Sequence, residues 1–372
     1  MLIDLIAGAR PNFMKIAPII VALQCAQRSN GKLRYRLIHT GQHYDARMSG
    51  DFFSQLGMPA PHVNLEVGSG THAEQTAAIM IGYEKVLAGN RSELCLVVGD
   101  VTSTMACAIT AQKLHVKVAH VEAGIRSGDW SMPEEINRLV TDAVTNYFFT
   151  TSEGANNNLR AGGIPDNRIF FVGNTMIDTL LHNLERLRPP SFWSEAKLEP
   201  QKYFVLTLHR PANVDLDEKL VAMLTAVAAG TRGSPVVFPV HPRTRKKLGS
   251  VQLPPVTNLI RFVEPQGYLE FNYLLKNAKA VITDSGGITE EATILGVPCM
   301  TLRDTTERPE TVTLGTNELV GTDPAKLGPY LDCLFSGKWK KGSIPPLWDG
   351  KASERIVAHI EALLSETAPG AV

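Results

Sequence analysis

Residues 94–121 read LCLVVGDVTSTMACAITAQKLHVKVAHV. An apolar run from Leu94 to Val98 stops at Gly99-Asp100, a segment with helical periodicity follows over 104–114, and a second apolar run fills 116–121. Short apolar runs bounded by glycine read as buried strands. Strands that alternate with helices of about ten or more residues predict a parallel sheet covered on both faces.

The same alternation extends in both directions. Further strands are expected at 2–7, 35–39, 147–150 and 169–172, and a second series at 203–208, 236–240, 259–263, 280–283 and 299–302. Helical patterns separate them at 12–26, 73–88, 134–146, 216–230 and 289–295. Residues 187–202 carry three prolines, mixed charge and no periodicity, which marks a boundary. The fold class is therefore α/β with two doubly wound domains, spanning 1–187 and 188–352. A final segment, 353–365, is an amphipathic helix with Ile356, Ile360, Leu363 and Leu364 on one face. Its pattern does not say which domain it packs on.

Composition bounds the function. The chain has 372 residues with 37 Lys+Arg against 37 Asp+Glu. Zero formal charge argues against nucleic acid or an anionic membrane surface as the partner. With 44% hydrophobic and 20% charged residues the chain is globular rather than disordered. Five dispersed cysteines without CxxC spacing read as reduced thiols of a cytoplasmic protein, with no metal-ligand pattern. The first residues read as a buried strand rather than a signal peptide, and no apolar run approaches the ~20 residues of a membrane helix.

In open α/β sheets ligands bind beyond the carboxyl ends of the strands, so those positions carry the functional reading. After the first strand comes Gly8-Ala9-Arg10-Pro11-Asn12-Phe13-Met14-Lys15, a glycine turn into a helix with Arg10 and Lys15 at the end where an anion would bind. Cations there oppose the helix dipole, though an ordinary turn with solvated cations is the alternative. The motif is not a Walker A loop. The next strand ends lead to Asp100, then to Glu122 in HVEAGIRS, then to Glu134 in PEEINR. Gathered carboxylates at one sheet edge suit acid–base chemistry. Asp100 as a helix cap, and Glu134 as a first-turn acid with Arg138 as its i+4 partner, are the plain readings.

In the second half, His209 and His241 follow successive strands, each near a proline. Thr283-Asp284-Ser285-Gly286-Gly287 after a strand lets backbone amides approach a phosphate, with Glu291 one turn on. The polar loop Arg303 to Glu310 follows the next strand, and Arg210 and Arg308 offer further cations for a diphosphate.

With the segments GARPNFMKIAP, TGQHYD, GDVTST, HVEAGIRS, PEEINR, TLHR, PVHPRTR, TDSGGITEEA and RDTTERPE in this order, the chain resembles the non-hydrolysing UDP-N-acetylglucosamine 2-epimerases over residues 2–321. The resemblance implies a glycosyltransferase-B type fold of two Rossmann-like domains, the active site in the interdomain cleft and the helix 353–372 completing the first domain. It implies reversible conversion of UDP-GlcNAc to UDP-ManNAc, by elimination of UDP to a 2-acetamidoglucal and re-addition, with no cofactor and no metal. It further implies a homodimer and a place in polysaccharide biosynthesis.

Carried over by position, Asp100, Glu122, Glu134 and His209 match the family's catalytic group. Asp100 and Glu134 would move the C2 proton, Glu122 would hold the sugar and its charge network, and His209 would assist the departing diphosphate. Arg10, Lys15 and Arg308 match diphosphate and sugar contacts, Gln266 and Phe271 the uracil site, Ser285, Gly286 and Gly287 the phosphate contacts, and Glu291 the ribose contact. Some bacterial members are activated by a second UDP-GlcNAc through a Gln-His segment and a nearby Arg. Residues 42–48 here, QHYDARM, are longer before Met and the stretch VGSGTHAEQT lacks that Arg, so the same activation is not expected. The competing readings are a UDP-sugar glycosyltransferase, a sister epimerase for a UDP-diacetamido sugar, and a nucleotide-sugar sensor.

Overall fold

The computed structural model describes residues 1–41 and 55–365, except the side chains of Arg10, Pro11, Asn30, Leu364 and Ser365. The segment 42–48 and the Arg10 side chain named above therefore lie outside the described residues. The chain divides into two compact units: Met1–His182 together with the chain from Pro346 onward, and Asn183–Pro345.

The first unit holds a seven-stranded sheet among the described residues. Its strands are β1 (Leu2–Ala7), β2 (Arg34–His39), β3 (Val63–Asn64), β4 (Leu94–Val98), β5 (Lys117–Val121), β6 (Tyr147–Thr150) and β7 (Ile169–Phe171). They run parallel in the order β3-β2-β1-β4-β5-β6-β7. The second unit holds six: β8 (Phe204–Thr207), β9 (Val236–Pro239), β10 (Ile260–Val263), β11 (Ala280–Thr283), β12 (Cys299–Thr301) and β13 (Asn317–Leu319), parallel in the order β10-β9-β8-β11-β12-β13. In each sheet the strand order reverses once, between β1 and β4 and between β8 and β11. These are the points where an α/β sheet opens a crevice at its carboxyl edge.

Strands such as β4 form where the sequence is apolar throughout, because both faces are covered: every residue of β4 is buried. The interior strand β2, which reads Arg-Tyr-Arg-Leu-Ile-His, and two edge strands escape that pattern. β3 is a two-residue pairing with His39 and Ile38, and β13 reads Asn-Glu-Leu. β13 pairs in parallel with β12 along its whole length, and a side-chain bond adds to that ladder: Thr301 Oγ1 donates to Asn317 Oδ1 at 2.7 Å. The helix His72–Gly89 starts on a capping box, in which the Glu74 N–H donates to Thr71 Oγ1 at 3.2 Å and the Thr71 N–H to Glu74 Oε2 at 2.9 Å.

The last helix, Ala352–Ser365, belongs to the first unit and packs on the helix Arg10–Asn30 through a face that buries Ile356, Val357 and Ile360. Asp178 holds its start. The buried carboxylate accepts the N–H of Ala352 at 3.1 Å, and the N–H and hydroxyl of Ser353 at 2.7 Å each. The Trp348 indole, also buried, donates to Thr151 O at 3.0 Å. Among the described residues no helix is long and apolar enough to cross a membrane, and no group of three His, Cys, Asp or Glu is placed to hold a metal.

Candidate active site

In the first unit, the turns after β1, β4 and β5 converge at the reversal of the sheet. Asn12 ties two of them together: its Oδ1 accepts the N–H of Gly8 and Ala9 at 3.1 Å each, and its Nδ2 donates to Val98 O at 2.9 Å. Gly99 takes a left-handed backbone, φ 71°, and its N–H donates to Val121 O at 3.0 Å. Glu122 also lies in the left-handed region, φ 73°, which is strained for a residue with a Cβ. Its N–H donates to Phe149 O at 2.9 Å, and its carboxylate forms an ion pair with Lys15 Nζ. Lys15, assigned from sequence to the diphosphate, is thus engaged with Glu122.

Asp100 is clamped by Arg138, whose Nη2 and Nε donate to Oδ2 at 2.6 and 3.1 Å. The Asp100 backbone carbonyl accepts from Asn137 Nδ2 at 2.8 Å. The far side of the same guanidinium donates from Nη1 to Glu135 Oε2 at 2.7 Å. Arg138 is therefore paired with Glu135 and Asp100, a correction to the expected i+4 pairing with Glu134. The reason is which face of the helix Pro133–Ala143 turns inward: Glu135, Arg138 and Asp142 are buried, while Glu134 and Ile136 are exposed. Glu135 also accepts the N–H groups of Ser127 at 2.9 Å and Gly128 at 3.1 Å. Burial pushes its pKa up, but these N–H bonds and Arg138 outweigh burial and leave it below the usual glutamate value.

One more pair was not singled out from sequence. His120 Nδ1 lies 2.8 Å from Asp142 Oδ1, and Arg126 Nη1 lies 2.7 Å from Asp142 Oδ2. The signal that would have found Glu135 and Asp142 is the spacing: charged residues at i, i+3 and i+7 of one helix share a face, and here that face is the buried one.

In the second unit His209 and the Ser285, Gly286 and Gly287 turn lie at the reversal between β8 and β11, while Gln266 and Phe271 follow β10 at the sheet edge and Arg308 follows β12. His209 Nδ1 lies 2.8 Å from Asp284 Oδ1. The Asp284 carboxylate is fully buried and accepts the N–H of His209 at 3.0 Å, the N–H of Arg210 at 2.9 Å and Asn213 Nδ2 at 3.2 Å. Burial pushes Asp284 up, yet the His209 bond and charge and these N–H groups hold it below the usual aspartate value. The His209 side chain keeps 40% exposure, so the ring is oriented from behind and open in front.

Ser285 leads into the helix Gly286–Leu295, and its N–H donates to Thr283 Oγ1 at 3.0 Å. A Cβ at Gly286 would meet only Arg303 Nη1 and Glu307 Oε2, each at 3.8 Å. Glu307 in turn takes Arg303 Nη1 at 2.6 Å and lies 3.8 Å from Arg210 Nη2. Arg308, buried, forms an ion pair with buried Glu290. Glu291 is buried too, with Asn272 Nδ2 donating to Oε1 at 3.3 Å. Gln266 Nε2 donates to Glu264 O at 2.7 Å, and Phe271 is half-buried against the core that includes Leu274 and Leu275.

The unit 1 set can move protons, and the unit 2 set joins a His–Asp dyad to a glycine-opened helix start with arginines beside it. A family model for UDP-N-acetylglucosamine 2-epimerase matches residues 25–361. The chain belongs to the UDP-N-acetylglucosamine 2-epimerase family. Among members of this family, it is similar to the UDP-N-acetylglucosamine 2-epimerase of Methanocaldococcus jannaschii, with 44% identity over 96% of this chain and 98% of that one. It is 40% identical, over 85% of this chain and 87% of that one, to the UDP-2,3-diacetamido-2,3-dideoxy-D-glucuronate 2-epimerase of Pseudomonas aeruginosa. A crystal structure of the Methanocaldococcus jannaschii epimerase in complex with UDP-GlcNAc and UDP superimposes with a TM-score of 0.85 at 42% identity, covering 97% of this chain and 100% of that one. The glycosyltransferase-B type α/β fold expected for the epimerase family is the fold observed.

Proposed function

We propose that this protein interconverts UDP-GlcNAc and UDP-ManNAc by inverting C2 of the sugar. What supports the reading is membership of the epimerase family together with two built sets, each within its own unit: clamped carboxylates at the sheet reversal of the first, and a His–Asp dyad beside a phosphate-type helix start in the second.

The C2 proton is not acidic, so the route is elimination. A base takes the C2 proton, the C2–H electrons form the C1=C2 bond, and the C1–O bond breaks with its electrons leaving on UDP. The product is a 2-acetamidoglucal held beside UDP. A UDP oxygen then re-forms the C1–O bond as a proton is added to the other face of C2. No net oxidation occurs, so the route calls for no redox cofactor.

Asp100 and Glu134 are assigned to the two C2 proton transfers. Asp100 is steadied by Arg138, while Glu134 stands exposed and able to adjust. Glu122, paired with Lys15, is assigned to the sugar hydroxyls, and Arg10 and Lys15 to the diphosphate side. In the second unit His209 offers Nε2 to the leaving oxygen while Asp284 holds Nδ1. Ser285, Gly286, Gly287 and Arg308 are assigned to the diphosphate, Glu291 to the ribose, and Gln266 and Phe271 to the uracil. Assembly as a homodimer belongs to the same reading and is checked by sedimentation.

The test is incubation with UDP-GlcNAc in deuterated buffer, followed by NMR. UDP-ManNAc with deuterium at C2 supports the proposal; unchanged substrate overturns it. The Pseudomonas relative favours one second reading, in which the sugar is a UDP-2,3-diacetamido-2,3-dideoxyglucuronate. Comparing kcat/KM for the two nucleotide sugars decides between them.

A further inference from the structure

His120 is buried at the end of β5 with an acceptor against each ring nitrogen. Nδ1 lies 2.8 Å from Asp142 Oδ1, and Nε2 lies 2.8 Å from Gly99 O. Carboxylate and carbonyl oxygens only accept hydrogen bonds, and a neutral imidazole carries a single N–H. A neutral ring would therefore turn a bare lone pair onto one of these two oxygens.

We propose that His120 is a positioning residue, held as an imidazolium, whose Nε2–H fixes the Gly99 carbonyl and so sets the Gly99-Asp100 turn that presents the candidate base. The proposal rests on the epimerase reading of Asp100.

The surroundings supply both the charge and the reason for it. Asp142 faces the ring from the helix Pro133–Ala143, and Arg126 from the loop after β5 caps the other carboxylate oxygen at 2.7 Å. The Gly124 N–H adds a further bond to Asp142 Oδ2 at 3.2 Å. Burial pushes Asp142 up, but His120 and Arg126 hold it below the usual aspartate value. On the far side of the turn, a Cβ at Gly99 would come within 3.2 Å of Lys15 Nζ and 3.4 Å of Glu122 Oε2. Gly99 is thus pinned on both sides, through its N–H by Val121 O and through its carbonyl by His120, with the Lys15–Glu122 pair close to its Cα. The next residue is Asp100. If the Gly99 carbonyl is released, the Asp100 carboxylate loses its place against Arg138, and proton transfer is sensitive to such shifts.

Two half-mimics separate this role from packing. In His120→Asn the amide nitrogen takes the place of Nδ1 and keeps the Asp142 bond alone. In His120→Gln the amide nitrogen reaches the place of Nε2 and keeps the Gly99 bond alone. The expected result is that His120→Gln retains a kcat about 10-fold or more above that of His120→Asn, with KM for UDP-GlcNAc little changed in both. Equal rates, or a faster His120→Asn, overturn the proposal.

A second measurement on the wild-type chain stands apart from activity and from the folding of variants. Nitrogen NMR of ring-labelled histidines at neutral pH is expected to show both His120 nitrogens protonated; a neutral tautomer overturns the proposal. A wild-type protein that places no deuterium at C2 sinks the functional reading instead, while the NMR result still decides the charge on His120.

Discussion

Arg138 donates to Asp100 Oδ2 from Nη2 at 2.6 Å and from Nε at 3.1 Å, and the same guanidinium holds Glu135 from its other edge. A planar fork can serve two carboxylates at fixed angles, which a lysine ammonium cannot do. Arg138→Lys is therefore expected to lower kcat by about 100-fold while UDP binding persists. Steady-state kinetics with calorimetric titration of UDP checks this; an unchanged kcat removes Arg138 from the account of Asp100.

Asp100→Asn keeps the shape and the Asn137 contact to the backbone but takes away the basic oxygen. Turnover is expected to fall by roughly 100- to 10,000-fold, the usual worth of a positioned acid or base. UDP affinity should stay within a few-fold. A nucleotide-sugar sensor of the same fold would tolerate the change.

Asp284→Asn separates orientation from charge in the dyad. The amide can present its N–H to His209 Nδ1, which leaves the hydrogen of a neutral ring on Nε2 but takes away the carboxylate charge that stabilises the imidazolium. Loss of kcat is expected to exceed loss of UDP affinity, and the pH profile of kcat should shift. A variant with wild-type kcat and pH profile counts against His209 as a participant in leaving-group chemistry.

The depressed carboxyls make stability depend on acid in a definite direction. Asp142 and Asp284 lie below the ordinary aspartate value in the folded chain because charged and N–H partners outweigh burial. Their contribution is present above the unfolded value of about 3.9 and is lost as pH falls through the lower native values. Melting temperatures should hold down to about pH 4 on account of these two groups and then drop. Asp142→Asn should lower the melting temperature at neutral pH and flatten the drop below it. A drop as steep in the variant as in the wild type removes Asp142 as a cause.

Asp178→Ala strips the bonds that start the last helix. Loss of a buried cap of this kind is expected to destabilise the first unit by about 2 kcal/mol, read from denaturant midpoints.

Most strands were legible because a doubly covered parallel sheet demands unbroken apolar runs, as at Leu94–Val98 and Ala280–Thr283. β3 and β13 were not, since a two-residue edge and an Asn-Glu-Leu strand owe their places to neighbours rather than to hydrophobicity. The candidate residues were legible where they follow a strand directly, as Asp100, Glu122 and His209 do. Glu135 and Asp142 were not, because their pairing depends on which face of the helix Pro133–Ala143 turns inward, and His120, on β5, was not because its partner Asp142 lies on that face. The exposed Ile136 and buried Arg138 invert the usual pattern, and only packing reveals that inversion. The Lys15–Glu122 pair joins residues 107 positions apart, a link no local pattern carries.

The Asp178 contacts reach Ala352, made 174 residues later. At roughly 5–20 residues per second, a ribosome needs about 10–35 s to cover that distance. The first unit emerges first yet waits for its own last helix, while the contiguous Asn183–Pro345 unit can close without it. The order of completion on the ribosome is therefore opposite to the order of synthesis, and during that interval the face that receives Ile356 and Ile360 stands open to chaperones.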